Sequence, residues 1–174
     1  MCKLIFTCGL PRSGKSSFCR EWAEYQDYGE WIDREIIKEK RVVVSGDSVR
    51  LALHGNVYHK EAESTVFAHL EVFIRALLDE GHTVCFDECN TSIASLYGIF
   101  KLDLDAHIQY FNTSEEVCIE RAKALRQDYL IPVIKRASRN LGFLSHIGGI
   151  EVIRRYVKNG LTFNETFDEI SATL

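Results

Sequence analysis

Eight residues near the start of the chain, Gly9-Leu10-Pro11-Arg12-Ser13-Gly14-Lys15-Ser16, limit its possible folds more than any other stretch. They match G-x-x-x-x-G-K-[ST] at every fixed position. The flanks matter as much as the pattern. Lys3 to Cys8 is apolar in the manner of a buried strand. Lys15 to about Gln26 reads as a helix, with Phe18, Trp22 and Tyr25 spaced to share one face. A strand, a glycine-bearing turn and a helix in that order let the backbone wrap around an anion, with amide N–H groups and the helix N-terminus facing it. In such a loop Lys15 reaches the β- and γ-phosphates of a nucleotide and the Ser16 hydroxyl ligates Mg²⁺. Gly9, Pro11, Arg12, Ser13, Gly14, Lys15, Ser16 and Ser17 are therefore the candidate ATP contacts. A chance glycine-rich turn is the competing reading, and the flanking strand and helix argue against it.

The rest of the chain keeps alternating between strand and helix. Arg41 to Ser45 is β-branched and stops at Gly46, a second strand. Asp47 reads as the N-cap of a short helix from Ser48 to Leu53. Glu61 to Glu80 is the strongest helix pattern, with Val66, Leu70, Phe73, Ile74 and Leu77 on its inner face and Gly81 as its stop. Thr83 to Phe86 is a third strand closing on Asp87, Asn90 to Phe100 a further helix, and Ala106 to Phe111 a fourth strand. Ser114-Glu115-Glu116 opens the next helix with a cap and early acidic charge. Beyond it come Pro132, an amphipathic run to Arg139 and a last helix near Ile150 to Val157. Apolar strands separated by helices mean an α/β fold, a parallel sheet with helices on both faces. At 174 residues the expectation is one domain, 1–174. The polar connection 27–40 has no assigned role.

Composition excludes several classes. No run approaches the roughly 18 to 20 apolar residues that span a bilayer, and the chain enters its first strand too early for a cleaved leader. Of the six cysteines, Cys2, Cys8 and Cys85 sit in apolar runs, and Cys85 and Cys89 lack a second pair at zinc spacing. A reducing, cytoplasmic setting is the expectation. The net charge of -4 makes the whole protein no basic nucleic-acid binder. Between residues 121 and 158, however, nine Lys and Arg face only Asp128 and Glu151, which suggests a surface that meets phosphate.

Four positions add chemistry to the loop. Asp87, delivered by the third strand, is placed to hold Mg²⁺ and its water; Glu88 should point the other way if the strand continues. Asp47, at the end of the second strand, stands where the crevice of an open α/β sheet forms, and is the candidate to take the proton of an attacking hydroxyl. The plainer reading of Asp47 is a helix cap. Arg50, one turn on, could hold an acceptor, and Arg121 and Arg126 could neutralise charge on a transferring phosphoryl group.

Taken together, Gly-Leu-Pro-x-Ser-Gly-Lys-Ser, Asp47-x-x-Arg50, Asp87-x-x-Asn90 and the late arginines resemble the polynucleotide kinase group of P-loop kinases over about residues 3–140. The resemblance implies a P-loop NTPase three-layer sandwich of four or five parallel strands in the order 2-3-1-4. It implies Asp47 as general base, Arg50 and Asn90 at the acceptor, and Ser16 and Asp87 at Mg²⁺. It also implies a lid at about 121–140 carrying Arg121 and Arg126. The implied reaction moves the γ-phosphoryl group of ATP to a hydroxyl, foremost the 5′-OH of a polynucleotide. Kinases of small molecules, nucleosides or hydroxymethylated bases in DNA share the architecture, and a nucleotide-gated switch is the non-kinase alternative.

Overall fold

Leu4, Phe6 and Cys8 are fully buried along β1 (Leu4–Gly9), the strand that carries the phosphate loop into the centre of a sheet. A computed structural model describes residues 3–24, 41–55 and 58–172. The connection 27–40, Tyr25, Gln26 and Asn56 lie outside the described residues. Around β1 stand β2 (Arg41–Ser45), β3 (Thr83–Asp87) and β4 (His107–Phe111), all parallel, in the order β2-β3-β1-β4. Ile5 faces Cys85 on one side and His107 on the other, and Ser45 faces Asp87. The sheet order is the one the resemblance implied. It sets the ends of β2, β3 and β1 side by side.

Helices cover both faces. On one, α3 (Glu63–Asp79) and α4 (Ile93–Leu102) pack Val66, Leu70, Ile74, Leu96 and Phe100 against Phe6, Val84 and Phe86. The rings of Phe6 and Phe100 meet edge to face with centroids 5.9 Å apart. Helices α7 (Ile150–Lys158) and α8 (Phe163–Ala172) close this core through Ile153, Val157 and Ile170. On the other face, α1 (Lys15–Glu24) sets the Cys19 thiol 3.4 Å from that of Cys85. A smaller cluster joins Leu10 of the phosphate loop to α5 (Glu115–Ala124) and α6 (Ile131–His146) through Cys118, Ala122, Ile134 and Ala137.

Several boundaries differ from the sequence reading, each for a local reason. Helix α2 (Gly46–His54) is capped by Ser45, whose hydroxyl accepts from the Ser48 amide at 3.2 Å, so Asp47 lies inside the first turn instead of capping it. Helix α3 starts at Glu63 after a 3-10 turn at Lys60–Ala62, and Phe73 is half exposed, away from the core. Asn90 adopts a left-handed φ of 46°, so α4 begins only at Ile93, under a reciprocal Ser92–Ser95 capping box. Helix α6 runs past Arg139 to His146. Helix α8 has no counterpart in the sequence reading. Its signature was present in Thr162-x-x-Glu165: the Thr162 amide donates to the Glu165 carboxylate at 2.7 Å and the Glu165 amide to the Thr162 hydroxyl at 3.3 Å.

Helix α5 ends in a Schellman turn. The Arg126 amide donates to Lys123 O at 2.9 Å and the Gln127 amide to Ala122 O at 2.9 Å, which puts Arg126 in the left-handed region at φ 56°. An L-residue with a Cβ is strained there by about 1–2 kcal/mol, partly offset by glycine's greater freedom in the unfolded chain. Arg126→Gly is therefore expected to raise the unfolding free energy by about 0.5–1 kcal/mol. The urea midpoint checks this, and a lower midpoint would contradict it.

Candidate active site

The loop between β1 and α1 is shaped by its own backbone. Gly14 sits at φ 107°, open to glycine and closed to other residues. Arg12 is also left-handed, at φ 67°, and three contacts hold that turn together. Arg121 Nη1 donates to the Arg12 carbonyl at 3.0 Å, Arg12 Nη2 donates to Gln127 Oε1, and the Thr113 hydroxyl donates to Ser13 O at 3.0 Å. Lys15 is buried, and its ammonium group is folded back onto the loop's own carbonyls, Gly9 O at 3.2 Å and Leu10 O at 2.6 Å. The Ser13 hydroxyl and Arg12 Nε are buried with no hydrogen-bond partner among the described residues. A buried ammonium group and unsatisfied buried donors in one turn make a set of groups that suits an anion.

The turn after β3 is tied to β1. The Thr7 hydroxyl donates to Glu88 O at 2.8 Å and accepts from the Glu88 amide at 3.2 Å. Asn90 Nδ2 donates to Thr7 O at 2.9 Å, and the Gly9 amide donates to Cys89 O at 3.0 Å. Asn90 is buried, with its amide N–H engaged by the backbone, which explains its place in Asp87-x-x-Asn90 in structural terms. Burial pushes the Cys89 thiol up despite the pull of Lys15. Asp87 ends the strand and faces the cleft. Glu88 turns into the same cleft, because the strand stops at Asp87 and the side-chain alternation stops with it. The sequence expectation that it points away holds only for a strand that continues, and this one does not.

Beside this turn Arg50 is enclosed by carboxylates. Its Nε and Nη2 donate to the two oxygens of Glu63 at 2.8 and 2.7 Å; Nη1 donates to Asp47 at 2.9 Å and to Glu88 at 3.3 Å. Burial raises the Glu88 pKa, with Arg50 drawing it back and Asp47 and Asp87 adding to the rise. A Cβ at Gly46 would run into Glu88 Oε1, so a larger residue there would displace the Glu88 carboxylate. The Asp47 carboxylate keeps 82% of its side-chain surface exposed, so one oxygen is anchored while the group remains open to the cleft.

One cleft of about 1390 Å³ unites these parts. It takes in residues 11–17 of the loop, Asp47 and Arg50, Asp87 and Asn90, and Arg121 from α5. It also takes in residues that the sequence reading did not single out: Glu63, Arg20, Arg136 and Asn140. Glu63 had no signal of its own, being one acid among several near a helix start. Arg136 lay in plain view within the amphipathic run of α6. Arg126 does not line the cleft; it is exposed at the end of α5. Nor do the nine basic residues of 121–158 form one face. Arg154 donates to Ala106 O at 2.9 Å and lies over the Phe100 ring at 4.7 Å, spent on packing. Because Glu63 holds Arg50 through two partly buried charged hydrogen bonds, Glu63→Ala is expected to destabilise the fold by about 1–3 kcal/mol, and Glu63→Gln by less. An unchanged urea midpoint in Glu63→Ala would contradict the clamp.

Comparison with known proteins places the chain in its family. Residues 4–131 match the family described as AAA domain. No curated protein matches the chain. Among solved structures, a chain of "Structure of the Pnkp1/Rnl/Hen1 RNA repair complex" aligns with TM-score 0.65 and 22% identity over 93% of this chain and 47% of that one. A chain of "Structure of Pnkp1/Rnl/Hen1 complex" aligns with TM-score 0.57 and 25% identity over 69% of this chain and 38% of that one. This chain thus spans less than half the length of either. The first likeness is one of fold. The family match covers the phosphate loop, the acid-bearing ends of β2 and β3 and the whole of α5, and on that match this chain belongs to the AAA-domain family.

Proposed function

We propose that this chain is an ATP- and Mg²⁺-dependent kinase that phosphorylates a hydroxyl, foremost the 5′-OH end of a polynucleotide. The observation that carries the reading is a single cleft in which a phosphate loop and an exposed, arginine-anchored carboxylate face each other. The loop fits a nucleotide: the buried Ser13 hydroxyl lacks a partner among the described residues, and the Lys15 ammonium group lies on the Gly9 and Leu10 carbonyls at the loop itself. Lys15 and the loop amides would hold the phosphates, and Ser16 and Asp87 would hold Mg²⁺, partly through water. Bound ATP supplies the phosphoryl group, with Mg²⁺ offsetting its charge.

The chain's own residues do the rest. Asp47 takes the proton from the acceptor hydroxyl through its exposed oxygen. Arg50 fixes Asp47 in place and is itself fixed by Glu63 and Glu88. Arg121 and Arg136 line the opposite side and would neutralise charge on the transferring oxygens. We read the α5–α6 segment, about 121–140, as a lid within a single domain; Arg126 would reach the cleft only if that segment moved. Exposed Tyr58 and Tyr129 at the cleft offer stacking faces to a strand, and the RNA repair complex to which one of the two similar structures belongs is in keeping with a nucleic-acid acceptor. The buried free thiols at 8, 19, 85 and 118 suit a reducing, cytoplasmic setting. A small-molecule or nucleoside acceptor is the second reading. It is favoured by the saturation of Arg50, which leaves that arginine little capacity for a strand phosphate.

Incubation with γ-labelled ATP, Mg²⁺ and 5′-OH oligonucleotides, their 5′-phosphorylated counterparts, or nucleosides tests the reading. Label confined to 5′-OH strands supports it; label on nucleosides alone moves the acceptor to the second reading; label on nothing removes the kinase reading. In the active reaction Asp47→Asn is expected to lower kcat by about 10²- to 10⁴-fold while ATP still binds. Lys15→Ala is expected to abolish transfer. An unchanged kcat in Asp47→Asn would reduce Asp47 to a partner of Arg50.

A further inference from the structure

A second cavity, of about 290 Å³, opens between α3 and α4 beside the acid cluster. Its floor is Leu70, Ile74, Phe86 and Ile99, all buried. It is continuous with the cleft, because Phe67, Ser92 and Ser95 line both. Phe67 lies one helical turn beyond Glu63 on α3, so the residue at the mouth of the cavity and the residue clamping Arg50 share a helix face. Phe67 as a residue is 44% exposed.

The walls define what can enter. The Ser92 and Ser95 hydroxyls are spent on each other and on the start of α4, at 2.9–3.3 Å. Glu71, at the rim, is paired with Arg75 at 3.2 Å. Among the described residues that line it Glu71 is the one charged group, and Asp47, Glu63 and Glu88 in the adjoining cleft also disfavour an anion. A neutral, flat, largely apolar group fits. Gly98, within α4, keeps the space open: a Cβ there would meet nothing within 4 Å, although glycine inside a helix weakens it relative to alanine. The mouth at Phe67 opens into the cleft one helical turn from Glu63, which holds the Arg50 that anchors Asp47, so an occupant of the cavity shares the cleft with the hydroxyl that Asp47 would serve.

We propose that this pocket receives the nucleobase of the acceptor's terminal nucleoside, with Phe67 as its stacking wall and Gly98 as the residue that leaves room for it. The proposal rests on the kinase reading and narrows it: the acceptor is a base-bearing hydroxyl compound, strand or nucleoside, recognised through its base as well as through the hydroxyl.

Initial rates at saturating ATP and Mg²⁺ on two 5′-OH oligonucleotides test it, one ending in thymidine and one in an abasic residue. Stacking of one base gives an expected preference of about 10- to 100-fold in kcat/KM for the thymidine end, carried by KM. Gly98→Leu, which fills the pocket, is expected to remove that preference and to leave the ATP KM and the abasic rate unchanged. Gly98→Ala, which fills little of it, keeps the preference and melts higher than the wild type. A preference that survives in Gly98→Leu, or that is absent from the wild type, overturns the proposal. If only nucleosides are labelled, thymidine replaces the strand and ribose or deoxyribose the abasic control. If nothing is phosphorylated, the kinase reading falls and binding decides the pocket. Thymidine titrated into protein saturated with a non-hydrolysable ATP analogue should then bind the wild type and not Gly98→Leu. Equal binding by both, or none by the wild type, overturns the pocket.

Discussion

Everything in the cleft depends on the bonding between Thr7 and the 88–90 turn. Thr7 is fully buried in the central strand, and its hydroxyl serves both the N–H and the C=O of Glu88 while its carbonyl accepts from Asn90. The Gly9 amide completes the join at Cys89 O. Buried polar groups satisfied in this reciprocal way are costly to break, because each would otherwise be left without a partner. The result is that the phosphate loop leaving β1 and the carboxylates leaving β3 are positioned as one unit. Neighbouring β2, in register with β3 at Ser45 and Asp87, adds Asp47 to the same edge.

From that frame follows a separation of charge across the cleft. Lys15, Arg12, Arg121 and Arg136 gather on the side of the loop and the α5–α6 segment. Asp47, Glu63 and Glu88 gather on the other, with Arg50 embedded among them. A polyanion is drawn to the first wall and a neutral hydroxyl suits the second. The same division accounts for Glu88, whose buried carboxylate is tolerable only because Arg50 lies against it. The arginine holds the acids in place more than it offers itself to an anion.

Much of this was legible in the sequence. The phosphate loop, the four strands and the sheet order followed from apolar runs, a fixed glycine-lysine spacing and a family resemblance. These signals are local, and each residue carries its own meaning. What escaped reading was relational. Ser45 takes the cap that Asp47 was expected to supply because the extended end of β2 brings its hydroxyl to the Ser48 amide. Glu88 enters the cleft because strand pairing ends one residue earlier. Glu63 becomes a clamp only when α3 folds back beside α2. Arg126, which the resemblance puts in the lid, stands in the left-handed turn that ends a helix, while Arg136 reaches the cleft from the next helix. The basic run 121–158 divides between the cleft and the far end of the sheet, where Arg154 packs on Phe100. Charge counted along a sequence does not reveal such a division.

The proposed reaction carries a phosphoryl group within one cleft, directly from a nucleotide on the loop to a hydroxyl served by Asp47. The stereochemistry at phosphorus tests it most directly. ATP made chiral at the γ-phosphorus by sulfur and oxygen isotopes would be turned over on the preferred acceptor, and the configuration of the product determined. Direct in-line transfer within a single cleft predicts inversion. Retention would reveal a phosphorylated protein intermediate, and recovery of only free thiophosphate would reveal hydrolysis; either result contradicts the account.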